Sequence, residues 1–562
     1  MKTKHIYRLY FILFLVGVTS CNEEKFLVEE ARDFLTPSNA YVAFEDFQAS
    51  LNTLYAIVRE RFYGREGRYS HMMMMHNGTD MWYDARLSSG ISRWGHYDVN
   101  LATDSPVPLN EWRDWYSLIS EANNILANIV DSEMTPAQAI EVEAETRFFR
   151  GFAYRHLVYL FGGVPLIVDQ INSPRADFTR ASKQEVLLQM VEDLNFASQN
   201  LPGIQSVVDG KVSNLVAHHY LAETYISLGD FDKAIASLTI VINDPNTELM
   251  KERFGTRRTE EPGDVYWDLF RKGNQDRSAG NKEALWVSQM ETDVPGGFLV
   301  TTATTYNHAY ERFFNPAIRT LNDPDGKPAT LGGTQGDSNT GGGGVSLGQP
   351  SDYLVNQLWE SDFDNDIRNA PHNFVRDFKY SNPESAYFGM SALEFPGSVM
   401  LSADWRWYPW FTKTTTPENH PEPLYIDQAN NVLSSFAGTT YRESYILRLA
   451  ESYLLRAEAY VRNGQPDKAA DDINEVRTRS NATPISASDA SIDYVLEERA
   501  RELVLETPRR LTLMRMDLLV PRVRQYNFWN ADDIQDYHKL WPIPNSEIEA
   551  NINANLEQNP GY

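Results

Sequence analysis

The chain has 562 residues, one cysteine, 51 Lys and Arg against 77 Asp and Glu, and a formal charge of −26. With 42% apolar and 12% aromatic residues it has material for a large core of roughly two to four domains' size, which excludes wholesale disorder. So acidic a surface repels phosphate backbones and argues against nucleic acid as a partner, while a lone cysteine builds neither an internal disulfide nor a cysteine zinc site.

At the N-terminus Lys2, Lys4 and Arg8 precede an apolar run from Leu9 to Val18. That run is too short to cross a bilayer as a helix but suits the apolar region of a signal peptide. It ends in Val18-Thr19-Ser20-Cys21, which resembles the bacterial lipoprotein signal, in which the cysteine becomes the acylated first residue. An ordinary signal peptide with an incidental cysteine is the alternative. Removing residues 1–20 would take away three positive charges and leave the mature chain near about −29. Asn22-Glu23-Glu24 puts acids where lipoproteins of the Bacteroidetes type carry a surface-export tag. The expected divisions are a signal peptide over 1–20 and an acylated N-terminus and linker over 21–40, with Cys21 as the lipid anchor. No later apolar stretch is long enough to span, so a lipid tether is expected rather than a transmembrane helix.

From 41 to 250 the pattern is helical. Phe44, Phe47, Leu51, Leu54 and Val58 recur at spacings of three and four, and Trp112, Trp115, Ile119, Leu126 and Ile129 do so more loosely. A further helix runs through Arg147-Phe148-Phe149-Arg150 to Leu160 and stops at Gly162-Gly163-Val164-Pro165. An internal repeat follows. Residues 222–238 and 457–473 share Ala222/Ala457, Glu223/Glu458, Tyr225/Tyr460, Gly229/Gly464, Asp232/Asp467, Lys233/Lys468 and Ala234/Ala469. This spacing is the tetratricopeptide helix–turn–helix pattern, and weaker pairs such as 111–160 are expected to complete the stack. Residues 251–440 lose periodicity and read as an irregular insertion, with Gly332–Gly336 and Gly341–Gly344 as an exposed flexible loop. Helical pattern returns over 441–562. The fold class is mainly α: a tetratricopeptide-like helical-pair scaffold with a large irregular, loop-rich insertion.

Several chemistries fail on spacing. Gly343 to Gly348 has phosphate-loop spacing, but Gln349-Pro350 stands where Lys-Ser/Thr is required. His218 and His219 are adjacent and face apart, and His71 and His76 flank Met72–Met75 without further identifiable ligands. Asp362, Asp364 and Asp366 alternate as Ca²⁺ ligands could, but Ile367 and Asn373 occupy the positions where an EF-hand needs Gly and Glu, so a solvated acidic turn is expected and no cofactor. A glycosidase needs two carboxylates about 5 to 9.5 Å apart, and the sequence singles out no pair.

The aromatics are the better clue, because Trp and Tyr offer flat platforms to the C–H faces of sugars while Asp, Asn and Arg bind the hydroxyls. Two patches combine these types: Asn77-Gly78-Thr79-Asp80-Met81-Trp82-Tyr83-Asp84 with Arg93-Trp94-Gly95-His96-Tyr97, and Asp404-Trp405-Arg406-Trp407-Tyr408-Pro409-Trp410. The expected ligand-binding residues are Asp80, Trp82, Tyr83, Trp94, Trp405 and Trp407, with Tyr306 and Arg368 from the insertion. Burial in the core is the competing role for each.

Longer motifs carry a family resemblance: Arg147-Phe148-Phe149-Arg150 to Leu160-Phe161-Gly162-Gly163-Val164-Pro165-Leu166, Leu447-Arg448 through Ala459, Asn474-Glu475-Val476-Arg477, Glu498-Arg499-Ala500-Arg501-Glu502-Leu503, Trp541-Pro542-Ile543-Pro544 and Gln558-Asn559-Pro560-Gly561-Tyr562. In this order they resemble the RagB/SusD-like nutrient-uptake lipoproteins of the Bacteroidetes outer membrane. One departure is Thr507-Pro508 before Arg509-Arg510, where the family usually has a glycine. The resemblance implies a cell-surface glycan-binding lipoprotein, not an enzyme. It would capture oligosaccharides and deliver them to a partner SusC-like TonB-dependent outer-membrane transporter. The alternatives are a surface endo-glycosidase and a peptide-binding member of the same uptake family. The resemblance assigns no individual binding residue.

Overall fold

A computed structural model describes residues 40–63, 71–85, 95–294, 308–394 and 405–562. Its helical scaffold is built from α1 (Phe44–Tyr63), α2 (His71–His76), α3 (Pro106–Asn128), α4 (Pro136–Phe161), α5 (Lys183–Asn200), α6 (Asn214–Leu228), α7 (Phe231–Ile242), α8 (Leu449–Arg462), α9 (Pro466–Arg479), α10 (Ile492–Glu502), α11 (Arg509–Arg515) and α12 (Leu519–Tyr526). Helices α3 to α9 pack each against the next, so α7 meets α8 directly although about 200 residues separate them. The helices expected around 111–160 do join this stack.

Local chemistry explains the main boundaries. Thr135 and Gln138 form a reciprocal capping box at the start of α4, with Pro136 as its first residue. The helix ends at Gly162, whose φ of 76° favours glycine, and a Cβ on Gly163 would lie 2.3 Å from the Ala181 carbonyl oxygen. In α1, Phe47, Leu51, Leu54 and Val58 are buried as the spacing predicts. In α3, Ile125 rather than Leu126 continues the buried stripe, because Ala122 and Ile125 keep the three-residue step from Ile119.

The repeat positions have matching jobs. Ala222, Ala234, Leu238, Leu455 and Ala459 form one small-residue cluster between the pairs. Lys233 lies 5.4 Å over Tyr225, and Lys468 lies 5.5 Å over Tyr460. Glu223 and Glu458 converge on one arginine, Arg515 of α11. Glu223 also takes Arg155 at 2.6 and 2.9 Å.

The 251–440 region is irregular but packed. It contributes to four two-stranded antiparallel sheets: β1 (Trp82–Asp84) with β3 (Gly348–Pro350), β2 (Ala284–Ser288) with β8 (Ser444–Arg448), β4 (Phe374–Val375) with β5 (Trp410–Phe411), and β6 (Tyr425–Asp427) with β7 (Val432–Leu433). The glycine loop is not an exposed flexible one. Gly341–Gly344 are buried, and a Cβ on Gly343 or Gly344 would come within 2.6 Å of the carbonyl oxygens of Ala437 or Pro316.

A buried ionic network ties this region to the scaffold. Glu502 accepts from Arg368 at 3.0 Å, from Arg448 at 2.9 Å and from Arg479. Glu283 binds Arg448 and Arg479, Glu506 binds Arg448 and Lys413, and Glu498 binds Arg368 and Arg477. Asp362 and Asp366 belong to it, which corrects the solvated-turn expectation. Asp362 receives Arg477 at 2.6 Å and Asp366 receives Arg368 at 2.6 Å, leaving only Asp364 exposed. With two of the three carboxylates committed to arginines, this turn does not fit Ca²⁺. Among the described residues no helix is long and apolar enough to cross a membrane. Replacing Arg448 by Ala takes one cationic partner from each of three buried glutamates and is expected to lower stability by about 3–5 kcal/mol. Urea unfolding of the purified protein checks this, and a loss below about 1 kcal/mol would contradict a structural role for the network.

Candidate functional site

The segment 77–84 is fixed by hydrogen bonds from the C-terminal helices. Arg510 donates to the carbonyls of Met74 and Asn77, each at 2.6 Å, and to the Tyr97 hydroxyl at 3.1 Å. Asn527 donates to the carbonyls of Thr79 and Trp82 at 2.6 and 3.1 Å. Asp80 is fully buried and takes Arg509 at 2.5 and 2.9 Å and Arg522 at 2.8 Å. Burial opposes its charge, but the two guanidiniums prevail and hold its pKa at about 2. Asp80 therefore anchors the segment in this structure.

On β1 successive side chains face opposite ways. Trp82 turns inward and is 0% exposed, with its ring 4.8 Å from Phe314 and 6.5 Å from Phe411. It presents no face to a ligand, and truncating it to Ala would open a core cavity at a cost of about 3–5 kcal/mol. Tyr83, on the opposite face, is buried as well, at 3% exposed, with its ring 5.5 Å from Trp529, so it too is covered in this structure. Burial pushes its phenol pKa up, and the neighbouring indole of Trp529 partly offsets this.

Trp529 and its neighbour are the residues that periodicity passes over. The turn Asn527-Phe528-Trp529-Asn530 follows α12, and its two asparagines are buried. Asn527 bonds the 79–82 backbone as above, and Asn530 donates to the Gly95 carbonyl at 2.8 Å. The two anchors push the aromatics between them outward: Phe528 is 86% exposed and Trp529 37%, edge to face at 5.7 Å. The signal in the sequence is an aromatic pair bracketed by asparagines outside any helical stripe.

The remaining expected residues scatter. Trp407 is buried 4.9 Å from Phe378 and 5.7 Å from Trp410 in a secondary core with Ile318, Tyr380 and Tyr387. Arg368 is held inside the ionic network, where Asp366, Glu498 and Glu502 outweigh burial and raise its pKa. These two and Asp80 and Trp82 do not form a surface, because each satisfies a buried partner instead. Trp405 is half-buried. Trp94, Tyr306 and Cys21 lie outside the described residues. Two cavities lined by described residues lie elsewhere. One of about 370 Å³ lies between α3 residues Trp112 and Tyr116, the loop Pro165–Ile171 and Leu556, and one of about 380 Å³ is lined by Tyr55, Lys211 and Trp286.

Two family models match the chain: the SusD family over residues 322–562, and "Starch-binding associating with outer membrane" over residues 26–226. The chain belongs to the SusD family. SusD-like protein P25 of Formosa agariphila is 24% identical over 98% of this chain and 97% of its own length. Starch-binding protein SusD of Bacteroides thetaiotaomicron is 37% identical over a stretch covering 21% of each chain. Among solved structures, a laminarin-binding SusD-like protein matches with a TM-score of 0.65 at 22% identity, covering 93% of this chain and all of that one. The helical stack with its packed, loop-rich region is thus the SusD fold.

The buried Asp80 clamp gives a pH signature. Its folded pKa near 2 lies below the ordinary 3.8, so its stabilisation is complete above about pH 4 and is lost as pH falls through 2. Asp80→Asn is expected to be less stable than the wild type by about 2 kcal/mol at pH 7. That gap should shrink between pH 4 and 2 in urea unfolding series, whereas a gap independent of pH would contradict the clamp.

Proposed function

We propose that this SusD-family protein captures oligosaccharides at the outer-membrane surface and passes them, chemically unaltered, to a SusC-like TonB-dependent transporter. The observation that carries the reading is the Phe528–Trp529 turn. Phe528 stands almost wholly in solvent and Trp529 is partly exposed beside it, both held by buried asparagines to the same segment that carries Tyr83. Exposed rings on a rigid base suit sugar faces, since little conformational freedom is lost on binding. The starch-binding name of one relative and the laminarin-binding name of a structural neighbour support a glycan as ligand. In this reading Trp94, Tyr306 and Trp405 remain candidate sugar contacts. Acyl chains on Cys21 tether the protein, in keeping with the outer-membrane association of the matched family model.

The test is calorimetric titration of Phe528→Ala, Trp529→Ala and the double variant against starch-derived and laminarin-derived oligosaccharides, with a peptide library as a control. The double variant is expected to keep its unfolding curve and to lose at least about tenfold in affinity, since stacking contacts contribute on the order of 1 kcal/mol or more each. Wild-type affinity in the double variant would remove this surface from the proposal. New reducing ends in the incubated wild-type mixture would favour the glycosidase alternative, and binding of peptides alone would favour the peptide one.

A further inference from the structure

Beside the aromatic turn, three metal-ligating side chains meet from distant parts of the chain. His96, Asp98 and Asp533 each offer one ligand atom, and these atoms lie within 4.8 Å of one another. His96 is half-buried in extended backbone just before the single helical turn Tyr97–Asn100, which carries the exposed Asp98. Asp533 is half-buried and held across the gap, its Oδ2 accepting the Tyr97 backbone N–H at 2.8 Å. None of the three is ion-paired with another described residue, so the two carboxylates share this space without a described cation to balance them.

A second observation borders the same cluster. Asn530 is 2% exposed, and its amide nitrogen donates to the Gly95 carbonyl and lies 3.5 Å from Asp533 Oδ2. Its oxygen Oδ1 is buried with no hydrogen-bond partner. An unpaired buried carbonyl oxygen is a polar group that solvent does not satisfy, and it belongs to the amide whose nitrogen borders Asp533.

We propose that His96, Asp98 and Asp533 bind one divalent transition-metal ion of the zinc class. The donor set decides the class. Imidazole is a good ligand for zinc-like ions and a poor one for Ca²⁺ and Mg²⁺, which favour all-oxygen shells. Ligand atoms at about 2.0–2.2 Å from one ion stand roughly 3–4 Å apart, so small side-chain rotations from the present spacing complete the site. Three protein ligands leave a coordination position for water or an outside donor. The ion joins the chain entering Tyr97 to the turn bearing Phe528 and Trp529. It thereby adds a crosslink between segments more than 400 residues apart in sequence.

The experiment is titration of chelator-treated full-length protein with ZnCl₂, and separately with CaCl₂, by isothermal calorimetry. It is run on the wild type, His96→Ala and Asp98→Asn. Neither altered side chain makes a hydrogen bond to a described neighbour, so both variants are expected to fold, which metal-free thermal melts verify. The expected result is one equivalent of Zn²⁺ bound by the wild type, binding weakened at least about tenfold in each variant, and no comparable uptake of Ca²⁺. Co²⁺ should give visible d–d bands in the wild type that are absent from His96→Ala. Failure of the wild type to take up Zn²⁺, equal binding by folded variants, or a preference for Ca²⁺ would each overturn the proposal.

Discussion

Everything in this molecule hangs on the burial of Glu502 among Arg368, Arg448 and Arg479. A carboxylate removed from water at this depth is strongly penalised, yet the three guanidiniums outweigh the burial and hold its pKa far below the usual range. The neighbours repeat the theme, because Glu283, Glu498 and Glu506 share those same arginines or Lys413. Each charge is tolerable only with its partners present, so strand β2, the turn at 362–368, Lys413, strand β8 and the ends of α9 and α10 must assemble together. Hydrophobic burial supplies the driving force, and the ionic network selects which arrangement of segments that burial produces.

The same device recurs at the proposed binding surface. Asp80 draws in Arg509 and Arg522, Arg510 caps the carbonyls of the preceding turn, and Asn527 and Asn530 tie the aromatic turn to it. The polar groups are spent underneath, on positioning, and the rings stay above in solvent. A surface built this way is pre-organised, because the backbone beneath Phe528 and Trp529 is held before any ligand arrives.

The scaffold was largely legible in the sequence, since helix periodicity, the glycine stops and the tetratricopeptide spacing are local signals. Even the coincident residues of the repeat gained specific partners, with Lys233 and Lys468 over their tyrosines and Glu223 and Glu458 on Arg515. The binding surface was much less legible. Tryptophan in a loop carries one composition whether it faces solvent or core, and in β1 both Trp82 and Tyr83 are buried. Arg368 and Asp80 have the chemistry of sugar-binding residues, but apart from the local Asp366 the partners that bury them come from more than 100 residues away, a distance at which sequence spacing says nothing. Phe528 and Trp529 lie in the C-terminal region, where the helical pattern drew attention to the scaffold instead.

The convergence of Glu223 and Glu458 on Arg515 fixes the copy number of the repeat at this point of the stack. A third helical pair inserted between α7 and α8 would part the two glutamates by the width of a repeat, and one guanidinium could no longer reach both. The chain that runs between them is under no such restriction wherever it lies clear of the ionic network. Changes of length in that intervening chain therefore leave the shared guanidinium in place, whereas a change in the number of flanking repeats does not.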